Sequence, residues 1–250
     1  MELLKVEGLS KTFGGVHAVN NVSFTVDKGE RLAIIGPNGA GKTTLFNLLN
    51  GQLRPTAGHI FYRGQDISTI PTHHRIQMGI GRSFQIASLF NNLTVIENVI
   101  LAIQGTRPSR FQMFRPITRN RQVFATAETL LNSMDLWERR NDLVNSIPYG
   151  AQRKLEIMLS MASDSKLLLL DEPSCGLTVA ESADITAKIC NLQKDITVLC
   201  VAHDMDLVFG IATRILVLHY GEIIAGGEPD KIRNDPTVKA IYLGTKRSIK

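Results

Sequence analysis

The sequence predicts an α/β protein: a mainly parallel sheet with helices packed around it, split by a helical insertion. Three observations carry that expectation. Strand-like runs alternate with helical stretches towards both ends of the 250 residues, the pattern of a parallel sheet joined by crossover helices. An apolar run over 31–35 leads through a glycine-rich turn straight into a helical stretch. From about residue 86 to 160 the strand signals give way to helical ones.

Taken in order, residues 3–9 open as a strand and 22–26 follow with clean alternation. Residues 31–35 are apolar almost throughout, as in a strand covered on both faces. Residues 42–50 place Leu45, Leu48 and Leu49 on one helical side, and Gly51 and Pro55 end the helix. A further strand is expected over 59–63. In the middle, helices are expected over 95–104, 122–134 and 151–161. The stretch 106–121 carries Arg107, Arg110, Arg115, Arg119 and Arg121 with Pro108 and Pro116, and is expected to be an inserted loop or short helix. The α/β pattern resumes with strands over 167–170, 196–201 and 215–218, and helices over 179–193 and 205–212. No internal repeat or low-complexity tract is visible.

Composition narrows the class. With 44% hydrophobic and 20% charged residues the chain is that of an ordinary globular protein, not a disordered or collagen-like one. No uninterrupted apolar run approaches the roughly 20 residues that span a bilayer. The N-terminus carries Glu2 and lacks the layout of a signal peptide, so the chain is expected to stay in the compartment where it is made. Cys175, Cys190 and Cys200 are an odd, sparse set without Cys-x-x-Cys spacing, which fits reduced thiols. A net charge of +5 admits an anionic partner but argues weakly for one.

The chemistry begins at Gly36-Pro37-Asn38-Gly39-Ala40-Gly41-Lys42-Thr43, a full match to the Gly-x-x-x-x-Gly-Lys-[Ser/Thr] phosphate loop, followed by Thr44. Its context is the required one, after a buried strand and before a helix. Gly39 and Gly41 let the backbone curl so that N–H groups face phosphate oxygens, and the helix adds its positive end. Lys42 can reach the β- and γ-phosphates, and the Thr43 hydroxyl can ligate Mg²⁺. A second apolar strand ends in Asp171-Glu172-Pro173. Asp171 can hold Mg²⁺ through its water shell, and Glu172 can polarise an attacking water.

These elements, with what surrounds them, resemble the ATP-binding subunits of ABC transporters over essentially the whole chain. Gln85 is similar to the Q-loop glutamine, and Ile147-Pro148-Tyr149-Gly150-Ala151-Gln152 sits where that family carries its Leu-Ser-Gly-Gly-Gln signature. Ser174 to Thr178 resembles the D-loop, His203 the switch histidine and Phe13 the aromatic that stacks on adenine. The resemblance implies a P-loop NTPase (RecA-like) core of ABC ATPase type, with an antiparallel β subdomain and an inserted helical subdomain. The core would be formed by 1–85 and 162–250, and the helical subdomain by 86–161. It implies ATP and Mg²⁺ as cofactors, with Thr43, Gln85 and Asp171 at the metal. Catalytic roles fall to Lys42, Gln85, Glu172 and His203.

Two places depart from the family pattern. The signature has Pro148, Tyr149 and Ala151 for Ser, Gly and Gln, and the D-loop has Thr178 where Asp is usual. Both lie on surfaces that the resemblance places against the opposing ATPase. With Pro148 lacking both hydroxyl and N–H, the N–H groups of Gly150, Ala151 and Gln152 are expected to serve the partner's nucleotide instead.

Within the family, the chain is most similar to the larger ATPase subunit of branched-chain amino-acid importers. The carrying text is Phe13-Gly-Gly-Val-His-Ala-Val-Asn-Asn, Gly81-Arg-Ser-Phe-Gln85, Tyr149-Gly-Ala-Gln-Arg-Lys-Leu-Glu-Ile157 and the closing Ile241-Tyr-Leu-Gly244. That implies a second ATPase subunit, two membrane permeases and, indirectly, a solute-binding protein. It also implies a peripheral place on the cytoplasmic face of the inner membrane. Relatives of this kind also carry urea, amides or aromatic acids, and an ABC ATPase serving lipid is a further alternative. A non-transport ABC ATPase acting on nucleic acid is the rival of another class. The sequence has neither a long coiled-coil insertion nor a second cassette, and no nucleic-acid partner is expected.

Overall fold

The computed structural model describes residues 1–82, 89–105, 121–162 and 165–244. Among these, ten strands form two sheets. The first sheet is built from β1 (Glu2–Phe13), β2 (Val16–Asp27), β4 (Ala57–Tyr62) and β5 (Gln65–Asp66), in the order β2-β1-β4-β5 and antiparallel throughout. The second has the order β10-β9-β3-β8-β7-β6. It contains β3 (Arg31–Ile35), β6 (Ile80–Arg82), β7 (Leu167–Asp171), β8 (Thr197–Val201), β9 (Arg214–His219) and β10 (Glu222–Gly227). Five of its strands are parallel, and β10 turns back on β9.

The helices are α1 (Lys42–Leu49), α2 (Thr72–Gln77), α3 (Val95–Gly105), α4 (Arg121–Ser133), α5 (Tyr149–Leu159), α6 (Val179–Cys190), α7 (Met205–Ile211), α8 (Pro229–Asn234) and α9 (Pro236–Gly244). β1 and β2 run well beyond the alternating stretches expected from the sequence. Register shifts between Val6 and Leu9, and between Leu9 and Lys11, break the alternation that would have revealed the extra length. The short β5, β6, α2 and α8, and the Gly-ended β10, were not foreseen, because pieces of two to six residues carry too little periodicity.

Strand alternation divides the core in two. Leu32, Ile34, Leu167, Leu169, Leu199, Val201, Leu216 and Leu218 face one cluster, which holds α1 and the inner face of the antiparallel sheet. Their neighbours Ala33, Ile35, Leu168, Leu170, Val198, Cys200, Ile215 and Val217 face the other, which holds residues of α3 to α9. The parallel sheet is thus covered on both faces, which is why its strands read as unbroken apolar runs.

One buried cation pins the helix that follows the phosphate loop. Arg75 of α2 donates to the carbonyls of Leu48 and Leu49, at 2.8 and 2.7 Å, where α1 ends. It also donates to Ile67, Ser68 and Ile70 at 2.5, 3.3 and 2.8 Å. These bonds satisfy carbonyls that a helix C-terminus leaves open. Burial pushes the Arg75 pKa down to about 10, which leaves it charged at neutral pH.

Candidate functional site

The phosphate loop leaves the carboxyl end of β3, and its glycines are required by space. A Cβ on Gly36 would lie 2.1 Å from the Leu218 carbonyl oxygen, and one on Gly41 would lie 2.2 Å from that of Ala18. Gly41 also has φ +99°, a left-handed conformation that opens α1 without a side-chain cap. The first-turn N–H groups of α1, from Lys42, exposed Thr43 and half-buried Thr44, therefore meet no capping side chain. Lys42 folds back, its Nζ donating to the carbonyls of Gly36 at 2.7 Å and Pro37 at 2.9 Å. Burial lowers its pKa, while the charges of Glu172 and Asp171 oppose that shift. Asn38 and Gly39 are exposed, and Ala40 is buried with its carbonyl accepting from Gly221 N–H.

Phe13 ends β1, half-exposed, with the Lys11 ammonium 5.2 Å from its ring centre. Gly14 and Gly15 turn the chain into β2, whose Ala18 carbonyl crowds Gly41. The hairpin that carries Phe13 is therefore tied to the rim of the phosphate loop.

Opposite Lys42 lie the carboxyl ends of β7 and β8. Asp171 is buried at the end of β7, and that burial pushes its pKa up against the pull of the Arg82 guanidinium. Glu172 then adopts φ +46°, an uncommon backbone for a non-glycine residue, costing on the order of 1–3 kcal/mol. Its N–H donates to the Val201 carbonyl at 2.8 Å. That turn brings Glu172 Oε1 to 3.2 Å from Nδ1 of His203, which follows β8. Asp204 fixes the histidine's loop: it caps α7 by accepting from the N–H groups of Asp206 and Leu207, and takes a bond from Ser182. Lys42, Asp171, Glu172 and His203 thus converge at one edge of the parallel strands, the usual place for a ligand in an α/β sheet. Gln85 lies outside the described residues, as do 106–120 of the arginine-rich stretch.

Pro148, Tyr149, Gly150 and Ala151 do not join that cluster. Pro148 is the N-cap of α5, and its carbonyl accepts from both Ala151 N–H (2.9 Å) and Gln152 N–H (3.0 Å). This corrects the expectation that Ala151 and Gln152 offer open donors: the first turn closes onto Pro148, leaving Tyr149 and Gly150 with the free positions. Gly150 packs so closely on α6 that a Cβ would lie 2.4 Å from Glu181 Oε1. Tyr149 is half-exposed, and its hydroxyl donates to the Cys175 carbonyl at 3.4 Å. Thr178, where the family pattern has Asp, accepts from Glu181 N–H while the Glu181 carboxylate accepts from Thr178, a complete capping box for α6.

The donors available to a cation are oxygens, the Asp171 carboxylate and the Thr43 hydroxyl. No group of three or more His, Cys, Asp or Glu residues able to hold a metal occurs among the described residues. That set fits Mg²⁺, which takes one or two protein oxygens and completes its shell with phosphates and water. No described helix is long and apolar enough to cross a membrane.

Two residues of this site go beyond those expected from the sequence, and one of them leaves no signal there. Arg153 reaches the carbonyls of Asp171, Glu172 and Pro173, and backbone acceptors leave no pattern to read. Asp204 stands directly before the helical stretch it caps, a signal that was there to be used.

Comparison with known proteins gives these features a context. Residues 19–175 match the family model described as ABC transporter, and residues 222–247 match that of the branched-chain amino acid ATP-binding cassette transporter. The chain is 41% identical, over 97% of its length and 98% of the relative's, to the high-affinity branched-chain amino acid transport ATP-binding protein LivG of Escherichia coli K12. It is 39% identical, over the same shares, to BraF of Pseudomonas aeruginosa PAO1, which bears the same description. Among solved structures, the ADP conformation of the ATP-binding cassette MJ1267 superposes with a TM-score of 0.87 at 30% identity, covering 98% of this chain and 99% of that one.

Proposed function

The chain belongs to the ABC transporter family as an ATP-hydrolysing subunit that powers transport, and from that premise we propose that it drives uptake of branched-chain amino acids. The similarity to LivG and BraF and the C-terminal match over 222–247 support the solute. The observation that carries the mechanism is the meeting of Lys42, Asp171, Glu172 and His203 at one strand edge.

In this reading Phe13 stacks on adenine, and residues 36–44 wrap the phosphates. Lys42 exchanges its two loop carbonyls for β- and γ-phosphate oxygens. Glu172 takes a proton from the attacking water as it adds to the γ-phosphorus and ADP leaves. His203 donates a hydrogen bond to the γ-phosphate as charge develops. Asp171 and Thr43, with Gln85, would hold Mg²⁺. The cation, when bound, would neutralise negative charge on the phosphates.

One chain supplies half of a working site. The open N-terminus of α5, with the free N–H groups of Tyr149 and Gly150, faces the nucleotide of a second ATPase subunit, so ATP joins the two and hydrolysis releases them. Residues 1–85 and 162–250 act as the nucleotide-binding core, and 86–161 as the helical subdomain that meets two permeases. The subunit then sits peripherally on the cytoplasmic face of the inner membrane, with a solute-binding protein on the far side.

The test is ATP turnover of the transporter reconstituted with its permeases and second ATPase. Lys42→Ala should weaken ATP binding by about tenfold or more. Glu172→Gln should keep ATP affinity and lose turnover by roughly 10²–10⁴-fold. Undiminished turnover in Glu172→Gln would remove Glu172 from the mechanism. Stimulation by a urea- or amide-loaded binding protein, rather than by a leucine-, isoleucine- or valine-loaded one, would overturn the solute.

A further inference from the structure

A buried guanidinium outside the nucleotide cluster grips the backbone on which Glu172 is mounted. Arg153, on the second turn of α5, is 4% exposed. Its Nη2 donates to the carbonyls of Asp171 at 2.9 Å and Glu172 at 2.6 Å, and its Nε to that of Pro173 at 3.0 Å. Three successive carbonyls are thus held by one side chain. Nη1 pairs with Glu156 Oε2 at 2.6 Å, so the positive charge is balanced on its own helix. What Arg153 brings to residues 171–173 is therefore chiefly a rigid fork of donors, beside a smaller pull of its charge on Asp171.

The place of that fork matters because the chain leaves β7 by an unfavourable route. Glu172 has φ +46°, and its N–H is held by the Val201 carbonyl at 2.8 Å. Arg153 holds the carbonyls before and after it. The peptides on both sides of Glu172 are fixed, one from β8 and one from α5, and its carboxylate ends 3.2 Å from His203. A second tether runs from the same helix, four residues earlier, where Tyr149 donates to Cys175. The helix whose N-terminus is offered to the partner's nucleotide is therefore bolted to this chain's own hydrolytic turn.

We propose that Arg153 is a positioning residue for Glu172, passing the engagement of α5 with the partner's nucleotide to the carboxylate that works on this chain's own ATP. The inference rests on the role given to Glu172 above. The bland reading is that Arg153 only stabilises the fold by satisfying buried carbonyls, and that reading predicts a different pattern of kinetics.

The experiment measures steady-state ATP turnover of the reconstituted transporter carrying Arg153→Gln, Arg153→Lys, Glu172→Gln and each Arg153 change combined with Glu172→Gln. Thermal unfolding of each subunit is followed alongside. Arg153→Gln should lower kcat roughly 10- to 100-fold with the KM for ATP little changed, because the carboxylate is misplaced while the phosphate loop is intact. Arg153→Lys, which keeps charge but not the fork, should recover part of that loss. In the Glu172→Gln background neither Arg153 change should lower turnover further, since Arg153 acts through the missing carboxylate. If Arg153→Gln fails to fold, Arg153→Lys and its combination with Glu172→Gln decide the matter alone. A folded Arg153 variant with unchanged kcat, or one whose effect adds fully to that of Glu172→Gln, overturns the proposal. Full turnover in Glu172→Gln alone would instead overturn the reading it rests on.

Discussion

Arg75 holds the far end of the phosphate-binding helix by bonds to five carbonyls, two of them the last of α1. Arg75→Met keeps volume but strands those acceptors in a dry interior. The subunit should lose about 3 kcal/mol or more of stability, read from denaturant unfolding. An unchanged midpoint would mean that water reaches these carbonyls. The same property explains which residues could be read in advance. Lys42, Asp171, Glu172 and His203 stand at fixed offsets from strand ends, so a linear pattern reveals them. Arg75 and Arg153 act on main-chain oxygens up to 27 residues away, and any arginine in the sequence would look the same.

Two helices that meet near Gly150 start in opposite ways. α5 begins on a proline without a side-chain cap, whereas α6 begins on the Thr178–Glu181 box. Thr178→Ala should cost about 1 kcal/mol in unfolding experiments, and Thr178→Asp close to nothing, because aspartate caps equally well. Any change in turnover with Thr178→Asp would then report on the subunit interface and not on the helix. The hydrogen bonds from the Thr178 backbone and hydroxyl hold the Glu181 pKa below its ordinary 4.5. A carboxylate depressed in this way stabilises the fold fully above its unfolded pKa and ceases to do so as pH falls through the folded value. The stability gap between the natural chain and Glu181→Ala should therefore be constant near neutrality and close below about pH 4.5. A gap that persists in acid would point to packing against Gly150 instead. Long elements such as α3 and α5 were legible because their apolar residues repeat at helical spacing. The turn chemistry at their ends was not: which N–H groups stay open depends on whether the Pro148 carbonyl folds back, and sequence does not record that.

At the scale of the whole molecule, the six-stranded sheet is interrupted in sequence and continuous in space. β6 and β7 are neighbours, with Ile80 opposite Leu167, although the stretch bearing α3, α4 and α5 lies between them in the chain. Since α5 is bonded to the end of β7, in the proposed dimer the partner's nucleotide would act on the same connected body as the nucleotide bound here. Glu172→Gln with ATP should therefore trap a stable complex with the second ATPase, seen as a mass increase in light scattering. Adding Gly150→Asp should abolish it, because the new side chain crowds Glu181 and, in the proposed dimer, sets a carboxylate against the partner's phosphate. A trapped complex that survives Gly150→Asp would place the contact elsewhere. Sheet order also governs how the protein comes into being. Arg31 pairs with Val198 and Leu32 with Arg214, 167 and 182 residues further on. The strand that carries the phosphate loop leaves the ribosome early and waits for both neighbours until most of the chain has been made. Such distant pairings fold slowly, and the unpartnered apolar strand is open to aggregation in the meantime. A nascent chain halted before β8 should therefore leave Leu32, Ala33, Ile34 and Ile35 without either sheet neighbour and open to chaperones and proteases.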